Sequence, residues 1–250
     1  AEDVTGNPGS AAGSAWSNNY SVNDPNEALL GYSQYAIPHR VGANLSYKIE
    51  YGMFATTVGL YYNGSNGSRY AWTYGNDING DGVSLDLLYV PKSANELTFA
   101  PFKVGDRTFT AEEQAAAFDK FINSVPELAD ARGGYVKRNS GLLPWANRFD
   151  VKVMEDVSFG GNNGGRKHTI QFGLDIFNVA NLINSDWGIY QELNGGSSFN
   201  YPLLKVASAS SSAPTFNMIA VGNELATTPF RNRNSVVSTW AMQFSARYIF

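Results

Sequence analysis

Val41-Gly42-Ala43-Asn44-Leu45-Ser46-Tyr47-Lys48-Ile49-Glu50-Tyr51 is the stretch that decides the fold. Every odd position is apolar or aromatic, and no even position is. A period of two puts successive side chains on opposite sides of an extended chain, so the segment reads as a strand with one greasy and one wet face. Gly52-Met53 supplies a tight reversal. Phe54, Thr56, Val58, Leu60 and Tyr62 then carry a greasy face, and Tyr70, Trp72 and Tyr74 resume the same parity after Gly64–Ser68. The reading predicts a hairpin whose second strand runs on far past the first.

The same alternation returns later. Phe149, Val151, Val153, Val157 and Phe159 oppose Arg148, Asp150, Lys152 and Asp156. Glu155 falls on the greasy side there and Met154 on the wet side, a mismatch that a β-bulge would accommodate. After a turn at Gly160–Gly165 come His168, Ile170, Phe172, Leu174 and Ile176. The last strand sets Trp240, Met242, Phe244, Ala246, Tyr248 and Phe250 against Thr239, Gln243, Ser245 and Arg247. Between these, 188–193 reads as a strand, 197–214 as a polar loop and 216–221 as a weak strand. Within the insertion 75–146, Thr110 and Glu113 fit a capping box. Phe118, Phe121, Ile122 and Val125 follow at helical spacing, predicting a helix over 111–124 with Pro126 at its limit.

Composition removes several classes of function. The 250 residues include no cysteine and only two histidines, His39 and His168. Disulfide frameworks, thiolate metal sites and histidine-rich centres are therefore excluded. A net charge of −4 with no basic run argues against nucleic acid. No nucleophile–base constellation and no phosphate loop is visible, so the chain is not read as an enzyme. No apolar stretch reaches the roughly 18 residues of a spanning helix, and Ala1–Gly6 shows no signal peptide. A closed barrel, however, also satisfies every backbone group in lipid.

Three features favour a membrane barrel over a soluble sandwich. The strands reach about ten residues, the length a tilted strand needs to cross lipid. Short turns alternate with a very long insertion. Tyr47, Tyr51, Tyr62, Trp240, Tyr248 and Phe250 lie near the ends of greasy faces, where aromatic girdles belong. Six or seven strands are nevertheless fewer than the eight of the smallest bacterial single-chain barrels. The chain is thus expected to be a segment whose outer strands pair with another piece.

Four motifs in series carry a resemblance. They are Tyr35-Ala36-Ile37-Pro38-His39-Arg40 leading into Ser46–Tyr51; Gly75-Asn76-Asp77-Ile78-Asn79-Gly80-Asp81-Gly82 with Asp86–Pro91; Pro144–Asp150 after Arg138-Asn139; and Asp175–Asn184 with Trp187-Gly188. Together with the terminal aromatic strand, they resemble the late barrel of Oar-like TonB-dependent transporters. The resemblance covers about residues 30–250. It implies the C-terminal segment of a 22-stranded all-β transmembrane antiparallel barrel in the bacterial outer membrane. The layout would be an extracellular loop at 1–38, a barrel hairpin at 39–74, a long extracellular loop with a helix at 75–146, and C-terminal barrel strands at 147–250. Implied partners are the rest of the barrel and its plug, TonB through a missing N-terminal part, membrane lipid and lipopolysaccharide, and surface lipoproteins. Implied cargo is a peptide, glycan or chelate. A surface adhesion or assembly protein and a passive porin stay as alternatives.

Two groups of polar residues are candidates for chemistry. Asp77, Asn79 and Asp81, followed by Gly82, have the spacing of a calcium loop; Val83 could add a carbonyl and Asp86 a further carboxylate, while Leu88 stands where the bidentate acid belongs. The other reading of the same residues is an Asx-rich turn. The wet-face charges Arg40, Lys48, Glu50, Arg148, Asp150, Lys152, Asp175 and Arg247 would line a lumen. There they would meet plug or substrate, or pair with one another.

Overall fold

The computed structural model describes residues 19–24, 26–27, 29–82, 84–161, 165–208 and 214–250. It is mostly β, and no described helix is long and apolar enough to cross a membrane. Ten strands build two five-stranded sheets: β1 (Arg40–Tyr51), β2 (Phe54–Asn66), β3 (Arg69–Tyr74), β4 (Thr98–Phe99), β5 (Gly141–Leu142), β6 (Trp145–Gly160), β7 (Lys167–Phe177), β8 (Asn200–Ser208), β9 (Thr215–Met218) and β10 (Ala241–Ile249). Among the described residues three α-helices accompany them: α1 (Ala111–Ser124), α2 (Pro126–Asp130) and α3 (Val179–Ile183). The chain divides into two compact units. One comprises Ala1–Ala36, Ser68–Leu143 and Glu192–Arg231; the other comprises Ile37–Gly67, Pro144–Gln191 and Asn232–Phe250.

The second unit holds the long-strand sheet, ordered β1-β2-β6-β7-β10 and antiparallel throughout. The five strands expected from alternation are therefore neighbours in one sheet. Register carries the greasy parity straight across. Tyr47 faces Val58, Val58 faces Val153, Val153 faces Leu174 and Leu174 faces Phe244. Pairing through Glu155 is continuous on both sides, so there is no bulge at that residue. The β1–β2 reversal is short because Gly52 takes φ +65°, a left-handed conformation that costs glycine little. At the other strand ends the chain runs into longer segments, 67–144 between β2 and β6 and 178–240 between β7 and β10.

The first unit is built differently. Its sheet runs β4-β9-β8-β3-β5, with β8 parallel to β3 and antiparallel to β9. A core of buried side chains surrounds it, including Trp72, Tyr201, Phe121, Leu88, Leu203 and Leu204. Trp72 packs its ring edge against Phe121 at 5.9 Å between centroids, and Tyr201 lies 5.1 Å from Trp72. Helix α1 forms over the expected residues. Thr110 Oγ1 accepts from the Glu113 N–H at 3.2 Å, and Glu113 Oε2 accepts from the Thr110 N–H at 2.9 Å. Such a cap contributes about 1 kcal/mol. Phe118, Phe121 and Ile122 face the core. Pro126 does end α1, and it also opens α2, where its missing N–H costs nothing.

Four expectations need correcting. Tyr70, Trp72 and Tyr74 do not prolong β2. The chain breaks at Gly67–Ser68, and β3 joins the packed sheet with both its faces buried. The supposed polar loop 197–214 contains β8, the middle strand of that sheet. Pro202 and the Ser- and Ala-rich flanks mask it in sequence. The structure tolerates the proline at an irregularity, because the register with β3 shifts between Pro202 and Leu204. The strand expected over 188–193 shrinks to Gln191–Leu193, and 216–221 divides into Thr215–Met218 and Ala220–Val221.

Candidate functional site

The greasy face of the long-strand sheet is exposed among the described residues. Val41 is 52% exposed, Leu45 70%, Phe172 53% and Phe244 78%. Every residue of β1 and β10 is exposed, and both strands are sheet edges. Contiguous apolar surface of this extent is rare in water-soluble monomers. From Val41 to Tyr51 the face runs about 34 Å along the strand, or roughly 25 Å in height at a 45° tilt. That height matches the apolar band of an outer-membrane barrel.

Aromatic clusters bound the band at both ends. At the hairpin end, His168 stacks between Phe159 and Tyr248, and Tyr248 stacks on Phe250, with centroids 5.6–5.8 Å apart. Tyr248 Oη and His168 Nδ1 share a hydrogen bond of 2.6 Å. Tyr51 and Phe54 stack at 5.8 Å in the same end row. At the other end, Asn147 Oδ1 accepts from Tyr62 Oη and from Trp145 Nε1, each at 2.8 Å. Those two rings close over Gly64, where any Cβ would collide with both. Rings with an apolar body and a hydrogen-bonded polar tip suit a boundary between hydrocarbon and water. Asn147 was not singled out in sequence. Its place two residues from Trp145 and opposite Gly64 becomes informative only once register is known.

The wet face is a connected polar surface. Lys48 pairs with Glu50 at 2.8 Å, Arg148 with Asp150 at 2.9 Å and Lys152 with Asp175 at 3.0 Å. Arg40 Nε donates to Asn63 Oδ1, and Gln171 Nε2 donates to Asp156 Oδ1. Asp150 Oδ1 also accepts from the Asn178 N–H at 2.7 Å. The sequence-predicted charges of this face are thus brought together mainly with one another. Exposed pairs of this kind are worth only about 0–1 kcal/mol each. Their consequence is orientation: they define a hydrated side opposite the apolar one.

In the packed unit, Asp77, Asn79 and Asp81 share one turn, and Asp86 lies beside it. Asp77 Oδ1 accepts from the N–H groups of Asn79 and Gly80 at 3.2 and 2.7 Å, and its Oδ2 accepts from Gly82 at 2.8 Å. Burial pushes the Asp77 carboxyl up, but these backbone donors outweigh it and hold it below the usual range. Asn79 Nδ2 donates to Asp81 Oδ2 at 2.8 Å. Asp86 is buried, with its oxygens on the Ile78 N–H and the Ser21 hydroxyl, and burial raises its carboxyl. Oxygen donors suit a hard cation such as calcium. Leu88, however, is a core residue and supplies no ligand, and Val83 lies outside the described residues. No group of three or more His, Cys, Asp or Glu placed to hold a metal occurs among the described residues. The turn as it stands is organised by its own hydrogen bonds. Beside it, Asn23, Tyr74, Asn79, Asp86 and Tyr135 help line a cleft of about 90 Å³, well below the roughly 300 Å³ of organic-ligand sites.

No protein-family profile, curated protein or solved structure matches this chain.

Proposed function

We propose that the long-strand sheet is part of the wall of an outer-membrane β-barrel, and that the barrel is a TonB-dependent, Oar-like transporter importing a peptide, glycan or chelate. One observation carries the reading: a five-stranded antiparallel sheet exposes a whole apolar face, rimmed by aromatics, while its opposite face is charged and hydrogen-bonded. In water that apolar face would drive aggregation; in lipid it is the solvated side. Among the described residues the outer edges of β1 and β10 have no further strand beside them, and an open edge in hydrocarbon leaves N–H and C=O groups unsatisfied at several kcal/mol each. Further strands must therefore close the wall. The short hairpin turns would face the periplasm and the longer segments the exterior, following the usual asymmetry of such barrels.

Transport, as opposed to adhesion or passive conduction, rests on the four-motif resemblance. The test uses the full-length protein in outer-membrane fractions and in vesicles. The expected result is a membrane-embedded band whose gel mobility changes on boiling, and a barrel that passes no ions because a plug fills it. Steady ion conductance would make it a porin. Ligand binding with no TonB-dependent uptake would make it an adhesin. A chain recovered soluble, with no heat-modifiable form, would overturn the wall reading.

A further inference from the structure

Glu155 is the one carboxylate on the greasy face of the five strands. It stands on β6, the middle strand, opposite Thr56 on one side and Phe172 on the other. Ile49 lies beyond Thr56 and Ala246 beyond Phe172, so its row is otherwise largely apolar. Two hydroxyls aim at it. Tyr51 Oη donates to Oε1 at 2.8 Å, and Thr56 Oγ1 donates to Oε2. Tyr51 Oη and Thr56 Oγ1 are themselves 2.7 Å apart. The three side chains therefore form a closed polar triad on a surface otherwise suited to hydrocarbon. No ion pair to Glu155 exists among the described residues.

We propose that this triad binds the primary ammonium headgroup of a phospholipid, of the phosphatidylethanolamine type, in the leaflet at the hairpin-turn end of the sheet. The inference rests on the wall reading above. A carboxylate facing lipid is costly unless it reaches the interface or finds a counter-charge. Glu155 sits one row inside the row of Tyr51, Phe54 and Val157. That is about 7 Å along the strand, or roughly 5 Å in depth, and a glutamate side chain can span it. The hydroxyls occupy two of its roughly four lone-pair sites, which leaves two for N–H donors. An ammonium brings three such donors and one positive charge. The stacked rings of Tyr51 and Phe54 border the triad and offer faces that attract a cation. A strand completing the barrel is a poor source of the charge. Two strands flank β6 on each side, so a new edge strand lies about 14 Å away at ordinary strand spacing.

The test reconstitutes the full-length protein in phosphatidylglycerol vesicles containing either phosphatidylethanolamine or phosphatidylcholine. Phosphatidylcholine has the charge but no N–H. Lipid retained after detergent extraction is counted by native mass spectrometry, with heat-modifiable mobility read on the same samples. The expected result is about tenfold preferential retention of phosphatidylethanolamine, abolished by Glu155→Gln. Equal retention of the two lipids by the wild-type protein overturns the inference. So does an unchanged preference in Glu155→Gln. Both leave the wall reading intact if the band is heat-modifiable. A protein that inserts into neither vesicle overturns both. Should Glu155→Gln fail to insert, the wild-type comparison between the two lipids still decides.

Discussion

Trp72 and Phe244 are both large aromatics on strands with alternating sequence, yet Trp72 has no exposed surface and Phe244 is 78% exposed. Trp72 belongs to a unit that solves burial in the ordinary way, with strands covered on both faces and helices α1 and α2 against them. Phe244 belongs to a strand whose residues are all exposed, at the edge of its sheet. The same chemistry that drives Trp72 inward leaves Phe244 exposed here; on the proposed barrel reading, lipid would cover it. On that reading the two units would differ in the medium that completes them.

That difference predicts opposite responses to substitution. Trp72→Ala removes a fully enclosed ring touching Tyr70, Phe121 and Tyr201. It should cost about 3–5 kcal/mol of the packed unit's stability, because the cavity cannot collapse around three rigid aromatics. Hydrogen exchange of the β3 amides in the full-length protein measures it. A loss below about 1 kcal/mol would mean that this interior is less well packed than its burial indicates.

A second comparison uses neighbours on one strand. Phe244→Lys places a charge mid-band on the greasy face, and Gln243→Lys places the same charge on the wet face opposite Asp175. The first should lower the stability of the proposed barrel by about 2–4 kcal/mol and the second should be nearly neutral. Urea titration of the heat-modifiable band separates them. Equal penalties, or a larger one for Gln243→Lys, would break the two-media account.

Much of the long-strand sheet was legible because its physics is local. Each strand keeps one greasy and one polar face, so period two survives undisturbed in Val41–Tyr51 and Trp240–Phe250. The packed sheet was not legible because its strands are short and buried on both faces: β3 keeps its alternation and so reads as a continuation of β2, while β8 shows only Tyr201-Pro202-Leu203-Leu204. Helix α1 was readable from its cap and its 3.6-residue spacing. The Asp77 turn was located by spacing, but its internal hydrogen bonds were not visible there. Glu155 was noticed only as a break in pattern. Its partners Tyr51 and Thr56 emerge from the β1–β2–β6 register, which no single strand contains.

The smallest expected effect concerns a carboxylate inside the packed unit, where, unlike Glu155, the surroundings are fixed protein. Glu127 Oε1 accepts from Trp72 Nε1 at 2.9 Å and from Tyr70 Oη at 3.3 Å. Burial raises its carboxyl above the usual range, against the lowering effect of those two donors and of Arg69. A raised acid binds its proton more tightly in the folded state than in the unfolded one. Stability is therefore greatest below the ordinary carboxylate range, falls as pH rises through the raised value, and then levels off. Glu127→Gln keeps an oxygen for Trp72 and Tyr70 and removes the charge. It should stabilise the packed unit by about 1 kcal/mol near neutrality and leave acid stability unchanged. Asp86 is raised by burial in the same unit and contributes a slope of the same sign. The informative quantity is thus the difference between wild type and variant, followed by β3 amide exchange from about pH 4 to about pH 8. A variant less stable than wild type at neutral pH, with the wild-type slope retained, would show that the ionised carboxylate itself holds this corner together. The packed unit would then share with the long-strand sheet a charge that needs a partner.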